Sequence, residues 1–102
     1  PRGMSSAASD VYKRQVIAVS READIPTEVM LGRGRKHALA RWRHLMFLLA
    51  YELSHQSLTQ IGKAMNRDHT TIWHGCRRAK ERMETDYALR FTYDKLKSEL
   101  RG

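Results

Sequence analysis

Ser57-Leu58-Thr59-Gln60-Ile61-Gly62-Lys63-Ala64-Met65-Asn66-Arg67-Asp68-His69-Thr70-Thr71-Ile72 is the stretch whose reading decides the fold. Ser57 with Gln60 three residues on is a capping box, in which each residue satisfies the other's free backbone N–H. Leu58, Ile61, Ala64 and Met65 then recur at helical spacing, so a short helix is expected to end near Met65. Asn66-Arg67 is the turn. Asp68 suits the N-cap of a second helix running to about Met83, whose inner stripe is Ile72, Cys76, Ala79 and Met83. A short helix, a tight turn and a longer helix, with Ile61 and Ile72 locking the pair, have helix-turn-helix proportions.

The remaining segments read outward from this pair. A break at Glu84-Thr85-Asp86 precedes a last helix, where Leu89, Tyr93, Leu96 and Leu100 share one face and Tyr87 and Phe91 lie off it. Upstream, Ala38 to Leu53 reads as a helix with Leu45, Leu48, Leu49 and Leu53 as its stripe, widened by Met46 and Phe47. Gly32-Arg33-Gly34-Arg35-Lys36-His37 joins two glycines to repelling cations and is expected to be an exposed loop. Ile25, Val29, Met30 and Leu31 around Pro26 suit a short helical turn starting near Thr27. A first helix is expected from Asp10, as N-cap, with Val11, Tyr12, Gln15, Val16 and Val19 in register. Pro1 to Ser9 is small, polar and aperiodic and reads as a disordered leader. The expectation is an all-α protein: a small helical bundle with a helix-turn-helix, one domain over residues 10–102.

Composition narrows the partners. The 102 residues carry 19 Lys and Arg against 11 Asp and Glu, a formal charge of +8. An excess of that size suits a polyanion, nucleic acid before an anionic membrane surface. No apolar run reaches the ~20 residues of a membrane span, and no stretch has the order of a signal peptide. Cys76 is the single cysteine, so no intramolecular disulfide forms and a reducing cytoplasm is expected.

The second helix of a helix-turn-helix enters the major groove with its first residues at the base edges. Here those are Asp68, His69, Thr70 and Thr71. Asp accepts from a cytosine amino group, Thr methyls pack on thymine methyls, and Thr hydroxyls and His nitrogens bond bases or phosphates. The blander reading of Asp68 and Thr71 is that they only cap the helix, and the two roles are compatible. Arg33, Arg35, Lys36, Arg41 and Arg43 form a basic tract with no acid between Glu28 and Glu52, to which His37 and His44 add donors. A flexible Gly-Arg-Gly-Arg segment lays an arginine into a narrow minor groove, and Arg41 and Arg43 fit phosphate clamps. A solvated basic face is the alternative. Trp73 either leans on the sugar-phosphate backbone or packs on a neighbouring helix. Arg77 and Arg78 either contact phosphate or stay solvated.

Arg67 to Arg78, read as Arg-Asp-His-Thr-Thr-Ile-Trp-His-Gly-Cys-Arg-Arg, resembles the signature of the DnaA-box-binding, carboxy-terminal domain of the bacterial replication initiator DnaA. The resemblance extends through Ser57–Gly62, the helix from Ala40 to Leu53 and the basic loop, covering roughly residues 16–83. It implies a helical bundle with a helix-turn-helix, related to the Trp-repressor-like arrangement. It also implies that Arg35 reads bases from the minor groove, as Asp68, His69, Thr70 and Thr71 do from the major groove. Arg43 and His44 match phosphate-touching positions and Trp73 an apolar position beside the backbone. Arg33, Lys36, Arg41, Arg67, Arg77 and Arg78 join them as phosphate contacts. The turn before Arg67 is one residue shorter than the family's, Trp42 stands where proline is common, and Tyr51 where lysine is. No G-x-x-x-x-G-K-[ST] phosphate loop occurs. The resemblance therefore implies double-stranded DNA as partner, no cofactor and no ATPase, in a fragment of an initiator or a free-standing regulator of replication or transcription. It also implies a monomer on its site and a nucleoid location.

Other classes fare worse. His69, His74 and Cys76 at spacings of five and two do not share one helix side, and Cys76 belongs to the apolar stripe, so no metal and no enzyme is expected. The rival is a protein-interaction module that docks an acidic partner on the basic loop or on helices 38–53 and 87–100. RNA is a lesser variant, since an A-form groove does not admit a helix.

Overall fold

The computed structural model describes residues 2–34 and 37–101. Among them run six helices and no strand: α1 (Arg2–Ala23), α2 (Thr27–Leu31), α3 (His37–Ser54), α4 (Leu58–Ala64), α5 (His69–Met83) and α6 (Tyr87–Arg101). The all-α expectation holds.

The centre of the bundle is α3, which touches each of the other five helices. Leu45, Met46, Phe47, Leu48, Leu49 and Ala50 are consecutive and all buried. A helix apolar around its whole girth is a core helix, not a surface one with a single stripe. Met46 and Phe47, expected to widen the stripe, are buried as expected, and Ala50, which the stripe left out, is buried as well. Tyr12, Gln15, Val16 and Val19 of α1 pack inward as their spacing implies, as do Leu89, Tyr93 and Leu96 of α6. Tyr87 and Phe91 remain exposed.

The amino-terminal boundary differs from expectation. α1 begins at Arg2, so residues 2–9, expected as an irregular leader, are helical and Asp10 lies inside the helix instead of capping it. Elongating an existing helix fixes one residue per new hydrogen bond and avoids the nucleation cost, and Met4, Ala7 and Ala8 favour it. At the other end α6 follows the expected break and is capped by Asp86, whose carboxylate accepts from the Leu89 amide at 3.0 Å.

The turn between α4 and α5 positions the site. The capping box opens α4, with Gln60 N–H donating to Ser57 Oγ at 3.1 Å and Ser57 N–H to Gln60 Oε1 at 2.9 Å. The helix closes with Asn66 in the left-handed region at φ 57°. Asn66 N–H donates to the Lys63 carbonyl at 3.3 Å and Arg67 N–H to the Gly62 carbonyl at 2.7 Å. This pair of bonds is a Schellman motif, and it turns the chain with one residue in the left-handed region. Asparagine tolerates that region better than most side chains. The turn that looked one residue short is thus closed by Asn66 alone.

Two glycines set how closely the helices approach. A Cβ on Gly62 would lie 2.4 Å from the Arg67 carbonyl oxygen, a backbone atom that cannot swing away. A Cβ on Gly75 would meet the Phe47 ring at 2.5 Å and the His44 ring at 3.2 Å, so α5 lies almost directly on α3. Ile61 and Ile72, both fully buried, lock α4 to α5 as expected.

Gly62→Ala is expected to cost about 2 kcal/mol despite alanine's better helix propensity, because overpacking against backbone typically costs ~1–3 kcal/mol. Asn66→Gly should be neutral within about 0.5 kcal/mol, since glycine accepts the same φ. Denaturant midpoints of the two variants check the pair, and equal losses would overturn the assignment.

Candidate nucleic-acid interface

The α5 amino terminus presents its first residues outward. Asp68, His69, Thr70 and Thr71 are exposed, and the inward turn begins at Ile72. Asp68 occupies the N-cap position, but its side chain does not cap. The Thr70 hydroxyl donates to Asp68 Oδ2 at 2.6 Å, and His69 Nδ1 lies 3.1 Å from Asp68 Oδ1. A charge-assisted O–H bond outcompetes the weaker amide donors of the first turn. The Thr70 hydroxyl holds the Asp68 carboxyl below its usual range. These bonds set polarity. Asp68 accepts only, so Thr70 has given away its proton and offers lone pairs outward. His69 Nδ1 faces the Asp68 carboxylate, an arrangement in which a proton on Nδ1 would leave Nε2 to accept.

Behind this edge lies the end of the basic loop. Arg43 is 9% exposed. It donates from Nε to the Met30 carbonyl at 2.8 Å, from Nη2 to the Val29 carbonyl at 2.6 Å, and from Nη1 to the Gly34 carbonyl. The assignment of Arg43 to phosphate is therefore corrected: its guanidinium takes the carbonyls at the end of α2 and fastens the loop, supplying donors where the last turn of a helix has few. Arg67 does the same from the opposite side. Its Nη1 donates to the Leu31 carbonyl at 3.1 Å and the Met65 carbonyl at 3.0 Å, and its Nη2 to the Gly32 carbonyl at 2.5 Å. Its guanidinium also lies 5.5 Å from the Phe47 ring centroid. Arg67 thus faces inward to the loop and is not offered to a phosphate as the sequence suggested. Burial, then the nearby Arg43 and Arg33 cations, loosen its proton.

Arg33 is exposed and donates to the Asn66 carbonyl at 3.2 Å, which ties the loop to the turn. Arg35 and Lys36 lie outside the described residues. An open groove beside Arg33 is lined by His44, Phe47, Arg67, Asp68 and Thr71. A second groove adjoins it and is lined by Arg41, His44, Arg78, Glu81, Arg82 and Thr85. His44 borders both, half-buried where α3 meets α5. Burial pushes its pKa down, and the Arg78 and Arg82 cations push it further.

The structure therefore gathers Arg33, Arg41, His44, Asp68, Thr71 and Arg78 around the two grooves at the α3–α5 seam, with His69 and Thr70 at the helix edge beside them. Trp73 does not pack into the bundle: it is 44% exposed, with Arg77 stacked 5.4 Å from its ring centroid and His74 edge-on at 5.0 Å. Arg77 also pairs with Glu81 at 3.4 Å. Arg82 was not singled out from sequence, although it stands four residues after Arg78 and so on the same face. Cys76 is buried as expected, and burial pushes its thiol up to about 11, so it stays protonated. Among the described residues no three His, Cys, Asp or Glu side chains converge to hold a metal ion, and no helix is long and apolar enough to cross a membrane.

Arg43→Ala should cost about 4 kcal/mol or more, since three carbonyls lose a charged donor at ~1.5–3 kcal/mol each. Arg41→Ala, at an exposed position over the Trp42 ring, should stay within about 0.5 kcal/mol of the parent. Chemical denaturation separates them, and a neutral Arg43→Ala would show that the guanidinium is not a structural clasp.

The residues match one family model, described as the bacterial DnaA protein helix-turn-helix, over residues 14–79. The matched span runs from within α1 through most of α5 and contains the loop, α3, α4, the turn and the start of α5. That span is well over half of the chain, so this protein belongs to the bacterial DnaA helix-turn-helix family of DNA-binding domains.

Proposed function

We infer that the chain binds duplex DNA sequence-specifically at a DnaA-box-like site, with the α5 amino terminus in the major groove. The observation that carries this reading is the exposed row Asp68, His69, Thr70, Thr71, polarised by the Asp68 hydrogen bonds and flanked by cationic side chains on α3 and α5. Acceptors at His69 Nε2 and Thr70 Oγ suit the amino groups of adenine and cytosine, and the Thr70 and Thr71 methyls suit thymine. Arg33, Arg41, His44 and Arg78 contact the phosphates on either side, and Trp73 and Arg77 lie against the backbone further along α5. Arg35 and Lys36 follow Gly34 directly. Arg35 enters the adjacent minor groove from a loop whose carbonyls are held by Arg43 and Arg67. The domain acts on chromosomal DNA in the bacterial cytoplasm, one copy per site, and regulates replication or transcription without hydrolysing ATP.

Selection of bound sequences from a random duplex pool gives the site. On that site, Asp68→Ala and His69→Ala should each cost about 1–3 kcal/mol while leaving binding to random duplex nearly unchanged. Arg78→Ala should weaken both alike and lower the slope of log K against log salt by about one. A shallow salt slope, or enrichment of no sequence, would sink the reading.

A further inference from the structure

The second groove holds more cation than structural needs explain. Arg41 enters from α3, and Arg78 and Arg82 from successive turns of α5. Glu81, the acid on its rim, pairs with Arg77 at 3.4 Å on the neighbouring face. The adjoining groove adds Arg33, Arg43 and Arg67, with Asp68 engaged by Thr70 and His69. Against these cations from α3, α5 and the loop sits one half-buried imidazole, His44, which an ordinary phosphate contact would not require to lie so deep.

We propose that this groove seats one DNA backbone phosphate on Arg41, Arg78 and Arg82, and that His44 takes up a proton as the phosphate arrives. Without an anion, the ring is kept neutral by burial and by the Arg78 and Arg82 charges. A phosphate oxyanion between those arginines reverses the local field: it screens the cations and accepts a hydrogen bond from the imidazolium. The ring's proton affinity is therefore higher in the complex than in the free protein. By linkage, affinity rises as pH falls from the complex's pKa toward the free protein's, and levels off below the latter. Arg82 and Thr85 lie beyond the matched family segment, which ends at residue 79, so part of this groove belongs to residues outside it. The inference rests on the DNA-binding reading and adds a proton to it.

The test is fluorescence anisotropy of a labelled duplex carrying the selected site, at fixed ionic strength between about pH 5.5 and 8. The parent should tighten on acidification with a slope approaching one proton per complex. His44→Gln, which keeps a donor but cannot titrate, should flatten that slope while still binding. Arg82→Ala, at an exposed position, should weaken binding and lower the salt slope by about one. His69→Gln serves as the control for the exposed imidazole at the base-reading edge. Parallel pH profiles for the parent and His44→Gln, or loss of the slope in His69→Gln instead, would overturn the proton-coupled groove and leave the functional reading intact. No binding of the parent to any duplex at low salt would overturn the functional reading itself.

Discussion

Five backbone carbonyls between Val29 and Gly34 end on two guanidinium groups. Arg43 takes those of Val29, Met30 and Gly34, and Arg67 takes those of Leu31 and Gly32. A loop containing two glycines loses about 1–2 kcal/mol of backbone entropy for each residue it orders. Charge-assisted hydrogen bonds contribute about 1.5–3 kcal/mol each, enough to offset that loss over the same residues. Arg43 lies in the core helix and Arg67 immediately precedes Asp68. The clasp therefore fixes the loop against both the centre of the bundle and the start of α5. What leaves Gly34 toward Arg35 does so from a point defined relative to the exposed row at 68–71.

The charges on the bundle are divided by the same architecture. On the side of α1 and α6, cations meet acids: Lys95 with Glu22 at 3.1 Å, Lys97 with Glu52 at 3.2 Å, Arg90 with Asp94 at 3.3 Å. Exposed pairs of this kind add little stability, but they cancel field locally. Around the α3–α5 seam, Arg33, Arg41, Arg78 and Arg82 gather with few acids among them. These arginines are thus gathered on one face. A concentrated positive field draws a polyanion and orients it before contact.

Much of the fold was legible because helices announce themselves by spacing and caps. Ser57 and Gln60, Ile61 and Ile72, and the Leu89–Tyr93–Leu96 face all stand where their pattern implies. The row Asp68 to Thr71 was legible for the same reason, since a helix start after a short turn exposes its first residues. What sequence could not supply was the fate of individual cations. Arg41 and Arg43 are two residues apart on one helix, and nothing in their identity separates a solvent-facing side chain from one 9% exposed. The difference arises because α2 ends beside Arg43 with carbonyls in need of donors, a contact between segments thirteen or fourteen residues apart. The same holds for Arg67, whose partners at Leu31 and Gly32 lie some thirty-five residues away. Asp68 misled in a smaller way: its residue type is right for a cap, but the hydroxyl two residues on is the better donor.

Close packing at Gly75 connects these observations. Because α5 lies directly on α3 there, the imidazole of His44 is brought against α5, on the turn below Arg78 and Arg82. Burial at this seam, and then the Arg78 and Arg82 charges, push the pKa of the ring down. On the proton uptake proposed above, the seam gains a positive charge as an anion enters. Bringing an oxyanion to such a face relieves repulsion that the folded protein otherwise carries, so binding and folding reinforce each other through the same contacts. The approach distance of two helices, set by the absence of one Cβ, thus governs both the mechanical seat of the recognition helix and the charge of the surface beside it.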